Sequence, residues 1–530
     1  MDVLIAGGGT VGLASAVFLQ HHGISATVVD DKPGVSVQPR ATGVSPRTAE
    51  LLREVGLFDA VNAVAIDAAG RGLGKLTARS LAAVDFPPAG DVTITAPPGS
   101  ATPGGNPFTA ISPVALRGTC PQNRLDTVLL AAARERGARV EYATELVAIA
   151  QDADGVTAQL HGPGGPRTVT ARYLIAADGV RGGIRRSLGI DVHGPGALGD
   201  PIMNILFRAD LRPLTRGNTF VAAETPGGTI ITIDGEKEWV LHAPYGPGGA
   251  DEFTVGHCTE LIRGAIGVPD LDVEVVSVLP WRVRADNAGQ YRDGLVFLAG
   301  DAAHAIPPLG AFGLNTGIAD AHNLAWKLAF VLRGDAGPGL LDSYDTERRP
   351  VGAMTVEQAT LRLADPRLHW DRSPALAEAR RRSGVLNAPV VAIGYRYAST
   401  AIIDPVTDLP STEDITLDLN GDPGSRVPHR WVTPATSTLD LVAARFTILT
   451  DSRGDHQWAD ATRSVSTRLG IDIGHHRVAG LTDACGVTVG GAVLVRPDGF
   501  IAWRRTLDSA NPQADLEDAL RRVLDRPTSS

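Results

Sequence analysis

The chain reads as an α/β protein with three parts. These are a parallel nucleotide-binding core, a separate antiparallel sheet and a small C-terminal α/β unit. Three observations predict this. A short apolar strand runs into a glycine-rich turn and an Ala-rich helix over Val3–Gln20. Hairpin signals separate short β-like runs between Pro201 and Pro280. From Gly421 onward the segments follow the order β-α-β, then β-β-α.

The first element carries the most chemistry. Strand Val3–Ala6 enters Gly7-Gly8-Gly9-Thr10-Val11-Gly12, a GxGxxG. Gly7 permits the tight turn, Gly9 admits a pyrophosphate close to the backbone, and Gly12 lets helix and strand pack closely. A second strand, Ala26–Val29, ends in Asp30, 18 residues after Gly12, where a carboxylate accepts a ribose hydroxyl. This is a Rossmann-like unit, and the motif by itself fits NAD as well as FAD.

Composition excludes several classes. The 530 residues carry a net charge of −10 and are 43% hydrophobic. That suits a globular core and argues against a nucleic-acid surface, which needs a basic face. Cys120, Cys258 and Cys485 are far apart and form neither a disulfide framework nor a zinc site, so no metal is expected. Free thiols fit a reducing cytoplasm. No signal peptide and no apolar run of membrane-spanning length is read, since Asp320, His322 and Lys327 break the longest candidate.

The rest of the chain supplies partners for the first turn. Gln38-Pro39-Arg40-Ala41 offers a guanidinium fork beside a rigid proline. Helix 46–55 has Pro46 in its first turn. A helix from Cys120 to Arg136 begins with Gln122 and Arg124 placed to face a cofactor. The apolar strand Tyr173–Ala177 ends in Asp178-Gly179. Leu295–Leu328 repeats the pattern, with an apolar strand into Gly300-Asp301, a loop holding Pro307, Pro308, Gly310 and Gly313, and then a helix. A helix N-terminus after such a loop is a place for an anionic group.

The resulting partition is 1–70, 114–180 and 281–364 for the nucleotide-binding domain. Residues 71–113 make an excursion to the sheet domain, and 181–280 form that sheet. Residues 365–420 are a helix and linker, and 421–530 are a C-terminal unit of thioredoxin-like order without CxxC. Deleting 421–530 is expected to cost solubility or assembly rather than redox chemistry.

In combination, GxGxxG with Asp30, Pro39-Arg40-Ala41, Asp178-Gly179 and Gly300-Asp301-Ala302-Ala303-His304 with Pro307-Pro308 resemble the class A FAD-dependent aromatic hydroxylases (the para-hydroxybenzoate hydroxylase-like monooxygenases). Val495–Gly499 and Pro423–His429 resemble the signatures of the phenol- and polyketide-hydroxylase branch, with its thioredoxin-like C-terminal domain. The resemblance implies FAD on Gly7, Gly9, Gly12 and Asp30, with Arg40, Gln122 and Arg124 toward the flavin. Asp178 would bridge FAD and NAD(P)H binding, and Asp301 would bind the ribityl chain. Gly313, Leu314 and Asn315 would wrap the pyrimidine end of the ring, and Pro307, Pro308 and Gly310 would line its reactive side.

The implied reaction consumes NADPH or NADH and O2 and hydroxylates an aromatic or polyketide substrate through a flavin hydroperoxide, with no acid–base residue required. Baeyer–Villiger or epoxidising oxidation, rifamycin-type antibiotic inactivation and antibiotic sequestration are the alternatives, and a homodimer is compatible. Candidate substrate-lining residues are Met203, Phe207, Thr219, Ile230, Trp239 and His242. His304 reads as a packed neighbour of the cofactor loop rather than a base. Three departures from the family pattern stand out: Asp31 replaces a common basic residue, Gly182 replaces a Ser, and Gly310-Ala311 replaces Gly-Gly.

Overall fold

A computed structural model describes residues 1–66, 73–88, 110–246, 249–370, 374–410, 419–442, 444–451, 455–488 and 490–526. Much of the 71–113 excursion, namely 71–72 and 89–109, lies outside these residues.

The core sheet has six strands in the order Arg292–Asp293, Val296–Leu298, Tyr173–Ala176, Val3–Ala6, Ala26–Val29, Arg139–Glu141. All neighbours pair in parallel except the first two. Val3–Ala6 and Tyr173–Ala176 are buried throughout, in one core with helices Thr10–His21 and Gly313–Arg333 and with Val156, Ala158 and Leu160, which is why they read as unbroken apolar runs. Helix Thr10–His21 lies against helices Gln122–Glu135 and Gly313–Arg333. The approach is close: a Cβ on Gly317 would sit 2.6 Å from Val11 Cγ2 and 3.1 Å from the Gly300 Cα.

A three-stranded antiparallel layer, Glu145–Gln151, Val156–Gly162 and Gly165–Ala171, completes this half. Its third strand is not read from the sequence. Gly162–Pro166 looks like a long loop, and Arg167, Thr168 and Thr170 give it little apolar content.

The second sheet has seven strands, in the order His304–Ala305, Glu274–Ala288, Val192–Arg208, Glu238–Pro244, Gly228–Thr232, Ala222–Thr225, Lys75–Thr77. Two of these strands are far longer than expected, at 17 and 15 residues. The expected boundary at 280 falls inside one of them. Glycines and prolines disguise the extension, yet the packing requires one of them. A Cβ on Gly194 would lie 2.2 Å from the Ala285 carbonyl oxygen of the paired strand. Strand Ala222–Thr225 begins three residues after Thr219, which lies outside the strand.

Strand pairing decides which face is which. Trp239 pairs with Phe207, Leu241 with Ile205 and Ala243 with Met203, so these side chains share one face. They pack with Ile230 beneath the amphipathic helix Val255–Ile266, against Cys258, Ile262 and Ala265. Met203, Phe207, Ile230 and Trp239 are therefore core residues and not a substrate wall. Alternation alone cannot reveal a helix covering one side. The opposite face carries Asn204, Leu206, Val240 and His242.

The C-terminal sheet runs Ile473–Arg477, Phe446–Thr450, Ala492–Val495, Ile501–Arg505, with the first two parallel and the others antiparallel. Helices Asp455–Leu469 and Pro512–Val523 complete the β-α-β, β-β-α order. The described part of the expected 365–420 linker is packed rather than a tether. It holds a π-helical turn, Val390–Gly394, and Tyr395 and Tyr397 stack on Phe500 at 5.6 and 4.1 Å between ring centroids. Among the described residues no helix is long and apolar enough to cross a membrane. All three cysteines are free and buried.

Trp239 is fully buried and its Nε1 donates to the Ala209 carbonyl at 3.0 Å. Trp239→Ala is expected to cost about 3–5 kcal/mol of stability, read from the urea transition of the sheet domain. A substrate-wall residue would instead change ligand affinity at unchanged stability.

Candidate active site

Two long helices begin at the site with no side-chain cap. Helix Thr10–His21 follows Gly9, and helix Gly313–Arg333 follows Phe312. Their first-turn N–H groups lack a capping side chain, and each end carries a positive partial charge.

The GxGxxG turn has the geometry that its glycines allow. Gly7 has φ +111°, and a Cβ there would lie 2.1 Å from the Ala177 carbonyl oxygen, at the end of the neighbouring strand. A Cβ on Gly12 would lie 1.8 Å from the Gly7 carbonyl oxygen. A Cβ on Gly9 would meet nothing within 4 Å, so this position faces open space where a pyrophosphate fits. Asp30 Oδ2 accepts from the Gly8 N–H at 2.6 Å and Oδ1 from the Lys32 N–H at 2.8 Å. Its carboxylate is thus held at the turn. Tyr142 Oη donates to the Gly8 carbonyl at 2.9 Å. No sequence signal marked Tyr142, because it comes from a strand more than a hundred residues away.

The Gln122–Arg124 helix start contributes differently from expectation. Gln122 Nε2 donates to Thr10 Oγ1 at 2.8 Å, and Thr10 Oγ1 donates to Asp126 Oδ1 at 2.5 Å. Asp126, also unmarked in the sequence, is buried, and its carboxyl is pushed up to about 7 by burial. Arg124 turns toward the sheet domain, with Nη1 on the Val64 carbonyl at 3.4 Å and Nη2 3.7 Å from Glu238 Oε2. Arg40 is exposed, and the preceding Gln38 reaches the Asn204 carbonyl at 3.4 Å. The Asn204–His242 face of the second sheet therefore confronts this half of the site.

Asp178 stands after Ala177, next to Gly7. Its Oδ2 accepts from the Ile184 N–H at 3.0 Å, while buried Oδ1 has no protein partner. Burial raises its pKa, against the pull of the Ile184 N–H. An unpartnered buried carboxylate oxygen beside a dinucleotide turn fits a ligand hydroxyl or amide.

The second half of the site is stitched by Asn315. Its Oδ1 accepts from the Ser45 N–H and Thr48 Oγ1, each at 2.8 Å, and its Nδ2 donates to the Gly43 carbonyl at 3.0 Å and the Ala311 carbonyl at 2.6 Å. One side chain thus joins the loop after Arg40 to the loop before the Gly313 helix. Ala311 has φ +54°, a left-handed conformation that disfavours a Cβ. The missing second glycine is a real strain, and the Ala311 methyl explains Gly43: a Cβ there would lie 2.7 Å away.

Asp301 is exposed in the cleft. Its pKa is raised by the desolvating surroundings and is opposed by His304 and Arg40. Pro308 is exposed, whereas Pro307 is buried. Gly310 (φ +102°), Gly313 and Leu314 are half-buried around Asn315. His304 is buried with Nε2 2.7 Å from Asp320 Oδ2, so it is a packed residue and not a free base. His242 is half-buried on the open sheet face, 5.5 Å from the Trp281 ring, and burial lowers its pKa to about 4.

Asp126 ionises as pH rises through 7, which places a negative charge at the pyrophosphate turn. FAD affinity is expected to fall between pH 6 and 8, and Asp126→Asn to flatten that fall, measured by fluorescence titration of flavin. Ala311→Gly is expected to relieve strain by up to about 1 kcal/mol, read as a higher thermal midpoint of the holoenzyme.

Comparison with known proteins agrees with this geometry. A profile described as FAD binding domain matches residues 1–359, and one described as aromatic-ring hydroxylase, C-terminal, matches 420–527. Tetracenomycin A2 monooxygenase-dioxygenase of Streptomyces glaucescens is 38% identical over 100% of this chain and 98% of its own. Aklavinone 12-hydroxylase of Streptomyces purpurascens is 36% identical over 99% of each. Among solved structures, aklavinone-11 hydroxylase with FAD and aklavinone superposes with a TM-score of 0.83 at 34% identity, covering 99% of both chains. With its uncapped helix ends, open Gly9 position and exposed Asp301, this chain belongs to the FAD-dependent aromatic-ring hydroxylases and is a flavoprotein monooxygenase.

Proposed function

We propose that the protein hydroxylates a fused-ring aromatic polyketide, held between the flavin loop Pro308–Asn315 and the open face of the seven-stranded sheet. The single observation behind this is the sheet face itself. Asn204, His242 and, by pairing, Leu279 and Trp281 lie on the face opposite the helix-covered core, beside the buried cluster of Leu206, Ile233 and Val240, and offer a mixed wall of large apolar and hydrogen-bonding side chains. Such a wall suits a flat polycyclic ligand fixed by a small number of hydrogen bonds. The relatives named for tetracenomycin and aklavinone act on molecules of that kind.

Bound FAD supplies reduction by NAD(P)H and activation of O2. The chain's own residues do four things. Asp30 and the Gly7–Gly12 turn would hold the adenosine ribose and pyrophosphate. Asp301 would accept from the ribityl hydroxyls. The N-terminus of helix Gly313–Arg333 favours negative charge on the pyrimidine edge of the ring. The sheet wall excludes water from the reacting face.

His242, its pKa lowered to about 4, is neutral at working pH and acts as a hydrogen-bonding group rather than a proton store. We read the C-terminal unit as a thioredoxin-like layer with no redox role of its own. Its described cysteine, Cys485, is buried and its thiol is raised to about 12 by burial.

Purified protein is expected to carry FAD and to oxidise NAD(P)H faster when a polycyclic aromatic substrate is added, with one atom of labelled O2 in the product by mass spectrometry. A substrate-independent oxidation rate across a polyketide panel would sink the assignment. His242→Phe is expected to raise the substrate KM about tenfold by removing one polar contact, with FAD content unchanged.

A further inference from the structure

Two adjacent residues of helix Asp342–Ala364 reach different parts of the molecule. Glu347 accepts from Arg496 of the C-terminal unit, Oε1 to Nη1 at 2.5 Å and Oε2 to Nη2 at 2.9 Å, and from Lys327 Nζ at 2.7 Å. Arg348 donates through Nε to Asp320 Oδ1 at 2.7 Å and through Nη2 to the Thr316 carbonyl at 3.0 Å. Asp320 Oδ2 in turn accepts from the Gly300 N–H at 3.1 Å, immediately before the cofactor-facing Asp301. Glu347, Arg348, Lys327, Asp320 and Arg496 are all buried. Burial alone would raise the Glu347 pKa, but Arg496 and Lys327 outweigh it and hold the carboxyl well below the usual range.

The same C-terminal turn grips two further helices. Asp498 Oδ2 accepts from Asn323 Nδ2 and Trp326 Nε1, each at 3.2 Å. The Asp498 carbonyl accepts from Arg47 Nη2 at 2.7 Å. Arg47 opens helix Pro46–Glu54, directly after the Gly43–Ser45 loop that Asn315 holds. Arg426, from the other C-terminal signature, is buried 3.3 Å from Glu50 of that helix.

We propose that the turn Arg496–Gly499 is a positioning clamp for the flavin site: Arg496 and Asp498 hold helices Pro46–Glu54 and Gly313–Arg333, which follow the loops joined by Asn315, and fix Glu347 beside Arg348 on helix Asp342–Ala364. The turn comes from a unit with no residue in the cofactor cleft, so it acts on the cofactor only through these helices. Removal of residues 421–530, expected from the sequence to spare redox chemistry, would instead uncover the faces of helices Gly313–Arg333 and Asp342–Ala364 that the turn now covers. Replacing Arg496 alone leaves Glu347 buried with one partner fewer, which is strongly destabilising. The clamp rests on the reading that Gly300–Asp301 and Gly43–Asn315 abut FAD.

The test uses full-length protein, with FAD affinity read by flavin fluorescence and ring environment by visible circular dichroism of the holoenzyme. Arg496→Met is expected to weaken FAD binding about tenfold and to change the visible spectrum, with Arg496→Lys recovering most of both. Val465→Ala, a core truncation on helix Asp455–Leu469 of the same unit that leaves the charged network intact, serves as the stability control. It is expected to lower the thermal midpoint without changing either flavin readout.

If Arg496→Met does not fold, Asp498→Asn, which keeps the side-chain size, carries the same readouts. Wild-type flavin affinity and spectrum in the Arg496 or Asp498 variant, or an equal change in Val465→Ala, overturns the clamp. Asp301→Ala separates the two ideas. Weakened binding there with an unaffected Arg496→Met rejects the clamp alone, whereas no effect in either rejects the cofactor placement and the clamp with it.

Discussion

The buried carboxylate of Asp320 is the constraint on which the flavin side of this molecule depends. It has no access to solvent, and an isolated ion there would cost several kcal/mol. Burial would raise its pKa, but Arg348 and then His304 outweigh that and keep it ionised. An ionised carboxylate only accepts, so His304 Nε2, the Gly300 N–H and Arg348 Nε must all point at it. Asp320 therefore sets the end of a parallel strand, the start of the cofactor loop and the pitch of the next long helix together.

The consequence is that the loop belongs to two sheets at once. Val296–Leu298 closes the parallel core, and six residues later His304–Ala305 pairs with Asp286 and Asn287 at the edge of the antiparallel sheet. The loop Pro307–Asn315 leaves from that junction, so the loop and the second sheet share a seam. Arg124 to Glu238 and Gln38 to Asn204 join the two domains again elsewhere. A site built this way can exclude water without a separate lid, and the family's chemistry needs such exclusion.

Much of the site was legible because its signals are local. A GxGxxG between a strand and a helix needs only neighbouring residues to be recognised, and Gly7, Gly9, Gly12 and Asp30 lie where the spacing puts them. Asn315 and Asp301 follow from strand–loop–helix order in the same way. Asp126 and Tyr142 carried no signal: each acquires its role by touching Thr10 or Gly8 across more than a hundred residues. The substrate wall was misread for a related reason. Met203, Phe207, Ile230 and Trp239 have the apolar character of a pocket, but helix Val255–Ile266 already covers them.

The sequence by itself determined most of the elements and the dinucleotide turn. Periodicity sets strands and helices, and glycine position sets where a backbone meets a phosphate. Those are properties of residues a few places apart. Only the tertiary structure decided which sheet face helix Val255–Ile266 covers, that Pro307 is buried while Pro308 is exposed, and that the C-terminal turn Arg496–Asp498 is tied to Glu347. These depend on which surfaces are covered and which buried charges find partners, and such partners are set by packing between segments hundreds of residues apart.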